Sequence, residues 1–408
     1  MPSEKIVRVL SLDGGGIRGL VPATILSAFE KRIGNLSKKF HLVAGTSTGG
    51  ILASGIASGF DTKKMVSLYR DNGATIFPEK SLGDLATLGG AKYEAGPLEG
   101  VLAKTFGKTT LADLSMDAML TSYDMTTREP KVFKTWKARG YDELDPSSEN
   151  FRIVDACRAT SAAPTYFLPA QIRNANGKQF TLIDGGVFAN SPAMMAYVAA
   201  RRLYPLADRY VVVSIGTGAL TKPIPYDEAA GWGAVGWIKP LIDIMFSGME
   251  GTVEYELNQL FPDVVQLRLQ TSLEGVSQVM DDTSPKNIED LQKAALRTVE
   301  ANKAKIDNIC KILNEPMLAR EVLGYPKKNE KPRPPKIAQF DMAKITKEVR
   351  KVEASNPKAV ALGGLGGAVA GGLVYGPVGA IVAGAAGAVL GTNVKIPVLK
   401  DQKGQRQV

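Results

Sequence analysis

Five residues, Gly45-Thr46-Ser47-Thr48-Gly49, hold the clearest chemistry in the sequence. They follow the apolar run Phe40-His41-Leu42-Val43-Ala44 and precede the helix-forming Gly50-Ile51-Leu52-Ala53-Ser54. Strand, tight turn with a central serine, then helix is the setting in which this pattern is a nucleophile elbow. Such a turn strains the backbone of its serine, and the strain persists only if neighbours over-determine it. Gly45 and Gly49 have no Cβ, so the strand and the helix can close around Ser47. Its hydroxyl then stands at a helix N-terminus, where developing negative charge is favoured.

Attack on a carbonyl also needs donors for the oxygen that becomes charged. A short strand, Ile6 to Leu12, runs into Asp13-Gly14-Gly15-Gly16-Ile17-Arg18-Gly19, and a helix follows to about Ile33, closed by Gly34-Asn35. Gly14, Gly16 and Gly19 match the dinucleotide-binding fingerprint letter for letter. That reading requires an acidic residue at the end of the second strand, and Phe40 to Ala44 has none. The alternative is an oxyanion hole, with backbone N–H groups of Gly15 and Gly16 facing the substrate carbonyl. Arg18 adds positive charge, braces the loop, or is a surface arginine paired with a nearby acid.

A serine hydroxyl is a weak nucleophile until a base takes its proton. The sequence has one histidine, His41. It lies six residues before Ser47 on the strand feeding the elbow, about 20 Å away at about 3.3 Å per residue. That distance counts against a Ser-His-Asp triad. A carboxylate or an amine remains, and Asp184, where the short strand Thr181-Leu182-Ile183 meets Gly185-Gly186, is the best placed of several aspartates. Desolvation beside Ser47 would raise its pKa and improve it as a base. The other reading of Asp184 is a solvated turn residue.

Positioning these groups takes an α/β layered domain. Strands alternate with helices, and the apolar Tyr210 to Ile215 suits a buried parallel strand. Phe151 to Ala163 reads as a helix with Cys157 packed inside. Trp232 to Met249 carries Trp237, Leu241, Ile244, Met245 and Phe246. It reads first as a core helix, with an acyl-channel lining or a membrane contact as the alternative. Ser284-Pro285 starts a long helix whose stripe Leu291, Ala295, Val299, Ile306, Ile309 and Leu313 is broken only by Asn302.

These residues together resemble the patatin-like phospholipases. Asp13 to Gly19, Gly45 to Gly49 and Asp184-Gly185-Gly186 are similar to that family's three blocks, in its order. Tyr93 to Leu102, Thr160 to Phe167, Ser214 to Gly218 and Met280-Asp281-Asp282 support the likeness, the last two most like the plant patatin branch. The resemblance spans residues 5–312. It implies a three-layer α/β/α domain with a mainly parallel central sheet. It also implies a Ser-Asp dyad of Ser47 and Asp184, an oxyanion hole at Gly14, Gly15 and Gly16, and no cofactor or metal. The activity implied is release of fatty acids, through an acyl-enzyme, from a phospholipid or galactolipid. One histidine and two cysteines, Cys157 and Cys310, likewise offer no zinc site and no disulfide framework.

Charge divides the chain. Of 408 residues, 1–323 hold 36 Lys and Arg against 36 Asp and Glu, so the entire net +9 lies beyond residue 323. That placement points to an anionic surface met by the tail and away from nucleic acid. Residues 313–358 read as a basic Pro/Lys-rich linker. Residues 359–391 are 33 positions without a charge, with glycines at four-residue spacing. They read as a glycine-zipper helical hairpin, each half about 22 Å long and short of the ~30 Å bilayer core. Residues 392–408 form a polar tail. Met1 to Lys5 is polar and reads as no leader. The expectation is a cytoplasmic, membrane-associated lipid acyl hydrolase able to self-associate. The competing expectation is a membrane-active scaffold in which the zipper carries the function, or a zipper that packs as a soluble hairpin.

Overall fold

A computed structural model describes residues 4–79 and 90–329 of the chain. Strand β1 (Ile6–Leu12), helix α1 (Leu20–Ile33), β2 (Leu42–Thr46), α2 (Thr48–Ala57), α3 (Thr62–Ile76) and α4 (Ala95–Phe106) lead to the hairpin β3 (Asp117–Asp124) and β4 (Glu129–Lys134). Two single turns, α5 (Thr135–Ala138) and α6 (Pro146–Glu149), precede α7 (Ile153–Thr160) and the hairpin β5 (Ala170–Arg173) and β6 (Gln179–Asp184). The turn α8 (Gly186–Ala189) and helix α9 (Ala193–Leu203) follow. The rest is β7 (Arg209–Ile215), the short α10 (Tyr226–Ala230), the long α11 (Ala234–Gln259), β8 (Val264–Leu269), α12 (Pro285–Ala301) and α13 (Lys303–Asn314).

The sheet order is β5-β6-β3-β2-β1-β7-β8, with β4 on the free side of β3. Strands β3, β2, β1, β7 and β8 are mutually parallel. Helices cover both faces, which is why the central stretches of these strands, such as Val211-Val212-Val213 of β7, are apolar on both sides. Leu10, Leu12, Val43, Val213 and Ile215 enter the core under α1, α2, α7 and α12. Val7, Val9, Leu42, Ala44 and Val212 enter the core under α9. The expected three-layer α/β/α architecture is therefore present.

Element ends follow local chemistry. Gly34, at φ 77°, closes α1 in the left-handed conformation that glycine tolerates. Asp61 caps α3 through Lys64 N–H, and Ser284 caps α12 with Pro285 in its first turn. Three expectations change in detail. The 151–163 helix is confined to α7, because Arg152 is drawn into a bridge with Thr110. The single long helix after Ser284 divides at Asn302, whose amide Nδ2 turns back to the Thr298 carbonyl at 3.0 Å. Packing against the domain also continues among the described residues beyond 312. Leu323 is fully buried, and Asn329 N–H donates to the Gly140 carbonyl at 2.6 Å. The basic segment from 330, the glycine-rich hairpin at 359–391 and the polar tail lie outside the described residues.

Candidate active site

Register brings the candidate residues to one edge of the sheet. Strand β4 occupies one side of β3 along Met119–Asp124, so β2 and β6 share the other side. Thr46 pairs with Thr121 at the end of β2, and the next rung, Ser122, pairs with Asp184 of the antiparallel β6. The chain thus leaves β3 at Ser47 just where β6 delivers Asp184.

Ser47 sits at φ 55°, ψ −123° between β2 and α2, a conformation that costs a non-glycine residue about 1–3 kcal/mol. Its surroundings hold it there. The Ser47 N–H donates to Thr160 Oγ1 at 2.9 Å, and Thr46 Oγ1 donates to the Ala189 carbonyl at 2.6 Å. A methyl on Gly45 would overlap the Gly49 carbonyl, and one on Gly49 would overlap the carbonyl of Leu12. Both glycines are therefore required by close approach.

Asp184 is 3% exposed. One carboxylate oxygen accepts the Gly186 N–H at 2.7 Å. Burial pushes its pKa up to about 7, against the pull of the Ser47 hydroxyl and the Gly186 N–H. Gly185 is pressed against Thr121, and a methyl there would overlap its side chain. The solvated-turn reading of Asp184 does not survive this burial.

The glycine loop closes the site from β1. Gly14 N–H is committed to the Asn190 carbonyl at 3.2 Å, and the Gly14 carbonyl accepts Thr217 Oγ1 at 2.6 Å. Gly14 is thus part of the loop's mounting, although the expected hole included it. No acceptor among the described residues takes the N–H of Gly15 or Gly16, and both residues line the same pocket as Ser47 and Asp184. Gly16, at φ 60°, is held by the neighbouring Ile17 N–H, which donates to the Met280 carbonyl at 2.8 Å. Arg18 is buried and braces the loop, its Nε reaching the Gly15 carbonyl at 3.3 Å and its Nη1 that of Gln278 at 3.4 Å.

The pocket, of about 130 Å³, is lined almost wholly by apolar side chains, among them Ile51, Leu98, Phe167, Val187, Met245 and Phe246. The last two belong to α11, which sequence reasoning favoured as a core helix. Instead Trp237, Leu241 and Ile244 on α11 are 39%, 46% and 42% exposed. His41 stands before β2 at the opposite edge, buried, its Nδ1 accepting the Arg8 N–H at 3.0 Å. Burial and the Arg8 charge pull its pKa down to about 4. Thr160, Thr217 and Met280 were legible only as parts of supporting stretches, and Asn190 and Glu250 carried no signal.

Elbow, buried acid and glycine loop thus stand together around one apolar pocket. The profile of the patatin-like phospholipase family matches residues 10–197. Patatin-like protein 1 of Arabidopsis thaliana is 31% identical over 337 residues, covering 71% of this chain and 80% of that protein. Patatin-like protein 1 of Oryza sativa subsp. indica is 32% identical over 335 residues, covering 70% and 79%. A Solanum tuberosum relative named probable inactive patatin-3-Kuras 1 is 30% identical over 322 residues, covering 70% and 84%. The chain belongs to the patatin-like phospholipase family, whose chemistry is lipid hydrolysis. Because one similar protein is named as inactive, activity has to be argued from the residues themselves.

Proposed function

We propose that this chain is a lipid acyl hydrolase working through Ser47 and Asp184 at a membrane surface. The observation that carries the reading is that the strained Ser47 and the buried Asp184 line one apolar pocket. Asp184 accepts the Ser47 proton as Oγ attacks the ester carbonyl. The N–H groups of Gly15 and Gly16 receive the oxyanion, each such donor being worth about 3–4 kcal/mol. Collapse of the tetrahedral intermediate breaks the ester bond. The proton held by Asp184 passes to the departing alcohol, which leaves as a lysolipid. Water then attacks the acyl-Ser47 ester with Asp184 again as base, and the fatty acid is released. An apolar pocket suits the acyl chain, and phospholipid and galactolipid share that chain.

Helix α11 supports action at a surface. Trp237, Leu241, Ile244, Gly248, Gly251 and Tyr255 recur at three- and four-residue spacing on one face, and none is charged. Tyr255 is 65% exposed. The face extends about 27 Å at about 1.5 Å per residue. Glu250 turns the other way, toward the protein, while Glu254 and Glu256 stay exposed beside the stripe. An aromatic-flanked apolar stripe beside an apolar pocket suits a helix lying in the interface. No described helix is long and apolar enough to cross a membrane. The basic segment and the glycine zipper would add attraction to anionic lipid and self-association.

The test is fatty-acid release from phospholipid and galactolipid vesicles by the full chain and by Ser47→Ala. The variant is expected to lose activity by about a thousandfold or more with an unchanged circular dichroism spectrum. Release that persists in Ser47→Ala would end this reading.

A further inference from the structure

Behind the glycine loop lies an ionic cluster that the proposed chemistry does not touch. Asp13, fully buried at the end of β1, pairs with Arg268 of β8 at 2.7 Å. Arg268 also reaches Ser214 Oγ at 2.8 Å and Glu250 of α11 at 3.4 Å. Glu250 is the hub. Its Oε1 accepts Asn190 Nδ2 at 2.8 Å and its Oε2 accepts Gln270 Nε2 at 2.9 Å.

Every branch from Glu250 ends on the mounting of the loop. Through Asn190 it reaches the carbonyl that takes the Gly14 N–H. Through Gln270, whose Oε1 accepts the Gly218 N–H at 3.0 Å, it reaches the turn where Thr217 donates to the Gly14 carbonyl. Through Arg268 it reaches Asp13, the residue before Gly14. A methyl on Gly14 would overlap Asn190 Oδ1, so the peptide is gripped sterically as well. Burying two carboxylates around one guanidinium is a poor route to stability, since desolvation offsets most of the attraction. It does hold a fixed geometry, and α11 is the element that supplies its hub.

We propose that Glu250 is a positioning residue for the reaction. It ties α11 to the loop that presents the Gly15 and Gly16 N–H groups, so the oxyanion donors are aimed only while α11 is seated over the pocket. The proposal rests on the oxyanion role of those two residues. Aim matters because a misplacement of about 1 Å can cost about a hundredfold in rate.

The experiment uses the full chain and a soluble short-chain nitrophenyl ester, so membrane contact plays no part. Turnover is expressed per serine labelled at the end point by a fluorophosphonate, which discounts misfolded protein. Glu250→Leu is expected to lower kcat by about fivefold or more while KM stays within about twofold, the mark of an interaction made in the transition state. Glu250→Gln keeps an acceptor for Asn190 but turns an amide toward Arg268 and Gln270, and is expected to fall between Leu and wild type. A smaller loss in Glu250→Leu, or a loss explained wholly by fewer labelled sites, overturns the proposal. If Glu250→Leu does not fold, Glu250→Gln decides: kcat per labelled site equal to wild type overturns it, and a fall with KM held supports it. Ser47→Ala separates the two readings, because ester turnover persisting there means that the serine chemistry, and not Glu250, has failed.

Discussion

Asp184 meets two demands that pull in opposite directions. As a base it must be ionised, so the rate per enzyme is expected to rise with pH through a limb near 7 and to level off above it. A limb near 4 would mean that the carboxylate is solvated during turnover. Stability has the opposite sign. The folded pKa lies above the ordinary 3.8, so the neutral carboxyl's contribution is complete below about pH 4 and is lost as pH rises through about 7. Asp184→Asn is therefore expected to be inactive yet more heat-stable than wild type at pH 8, by on the order of a few kcal/mol. The gain should shrink toward pH 4, and melting curves at both pH values check it. Ser47 was legible because its turn must be built from small residues at fixed spacing. Asp184 was not legible to the same degree, since an aspartate before two glycines is equally a solvated turn until β6 is seen to end against Ser122. The division of labour within Gly14–Gly16 was hidden for the same reason. Three consecutive glycines look alike until the Asn190 carbonyl takes one N–H and leaves two.

Helix α11 shows what periodicity can and cannot say about an element. Its apolar residues are frequent enough to read as a core helix, and the pattern alone does not tell an inner face from an outer one. The distinction comes from Glu250, whose burial against Asn190, Gln270 and Arg268 makes the opposite stripe the exposed one. If that stripe meets lipid, Leu241→Glu with Ile244→Glu should leave soluble-ester turnover within about twofold. Hydrolysis of vesicles should fall by about tenfold or more, because two charges would enter an apolar boundary. Equal loss on both substrates would assign the stripe to folding. The α12 and α13 stripe, by contrast, was read correctly residue by residue. Leu291, Ala295, Val299, Ile306, Ile309 and Leu313 are all buried. The stripe bends at its one polar member, where an asparagine amide competes for the helix's own carbonyls.

For the molecule as a whole, the layered α/β class and the mainly parallel sheet followed from alternating strands and helices, and the strand order and the closing of the sheet's amino-terminal edge did not. Asp117, fully buried at the start of β3, gathers Arg139 at 3.2 Å, Arg320 at 3.6 Å and the Tyr204 hydroxyl at 2.8 Å. Tyr325 packs edge-on against Tyr141 and tilted against Tyr204 beside it. Arg320 and Tyr325 come from a stretch that looks like a linker in composition, and only burial of their acidic partner gives them a place. A chain ended at residue 312 is therefore expected to lose about 3–5 kcal/mol, the cost of leaving a buried charge with a partner removed. A chain ended at 329 should melt like the full protein.

That edge has a further consequence for how the enzyme finds its substrate. Strand β3 runs from Asp117 toward the level of Ser47, so the chain's last described residues lie by the amino-terminal end of the sheet and Ser47 by the carboxyl end. If the tail grips lipid as proposed, this departure point would make it a leash. It would raise the local concentration of bilayer that the domain samples and leave the angle of approach to α11. The chain ended at 329 should accordingly fall behind the full protein at dilute vesicles and catch up at saturation.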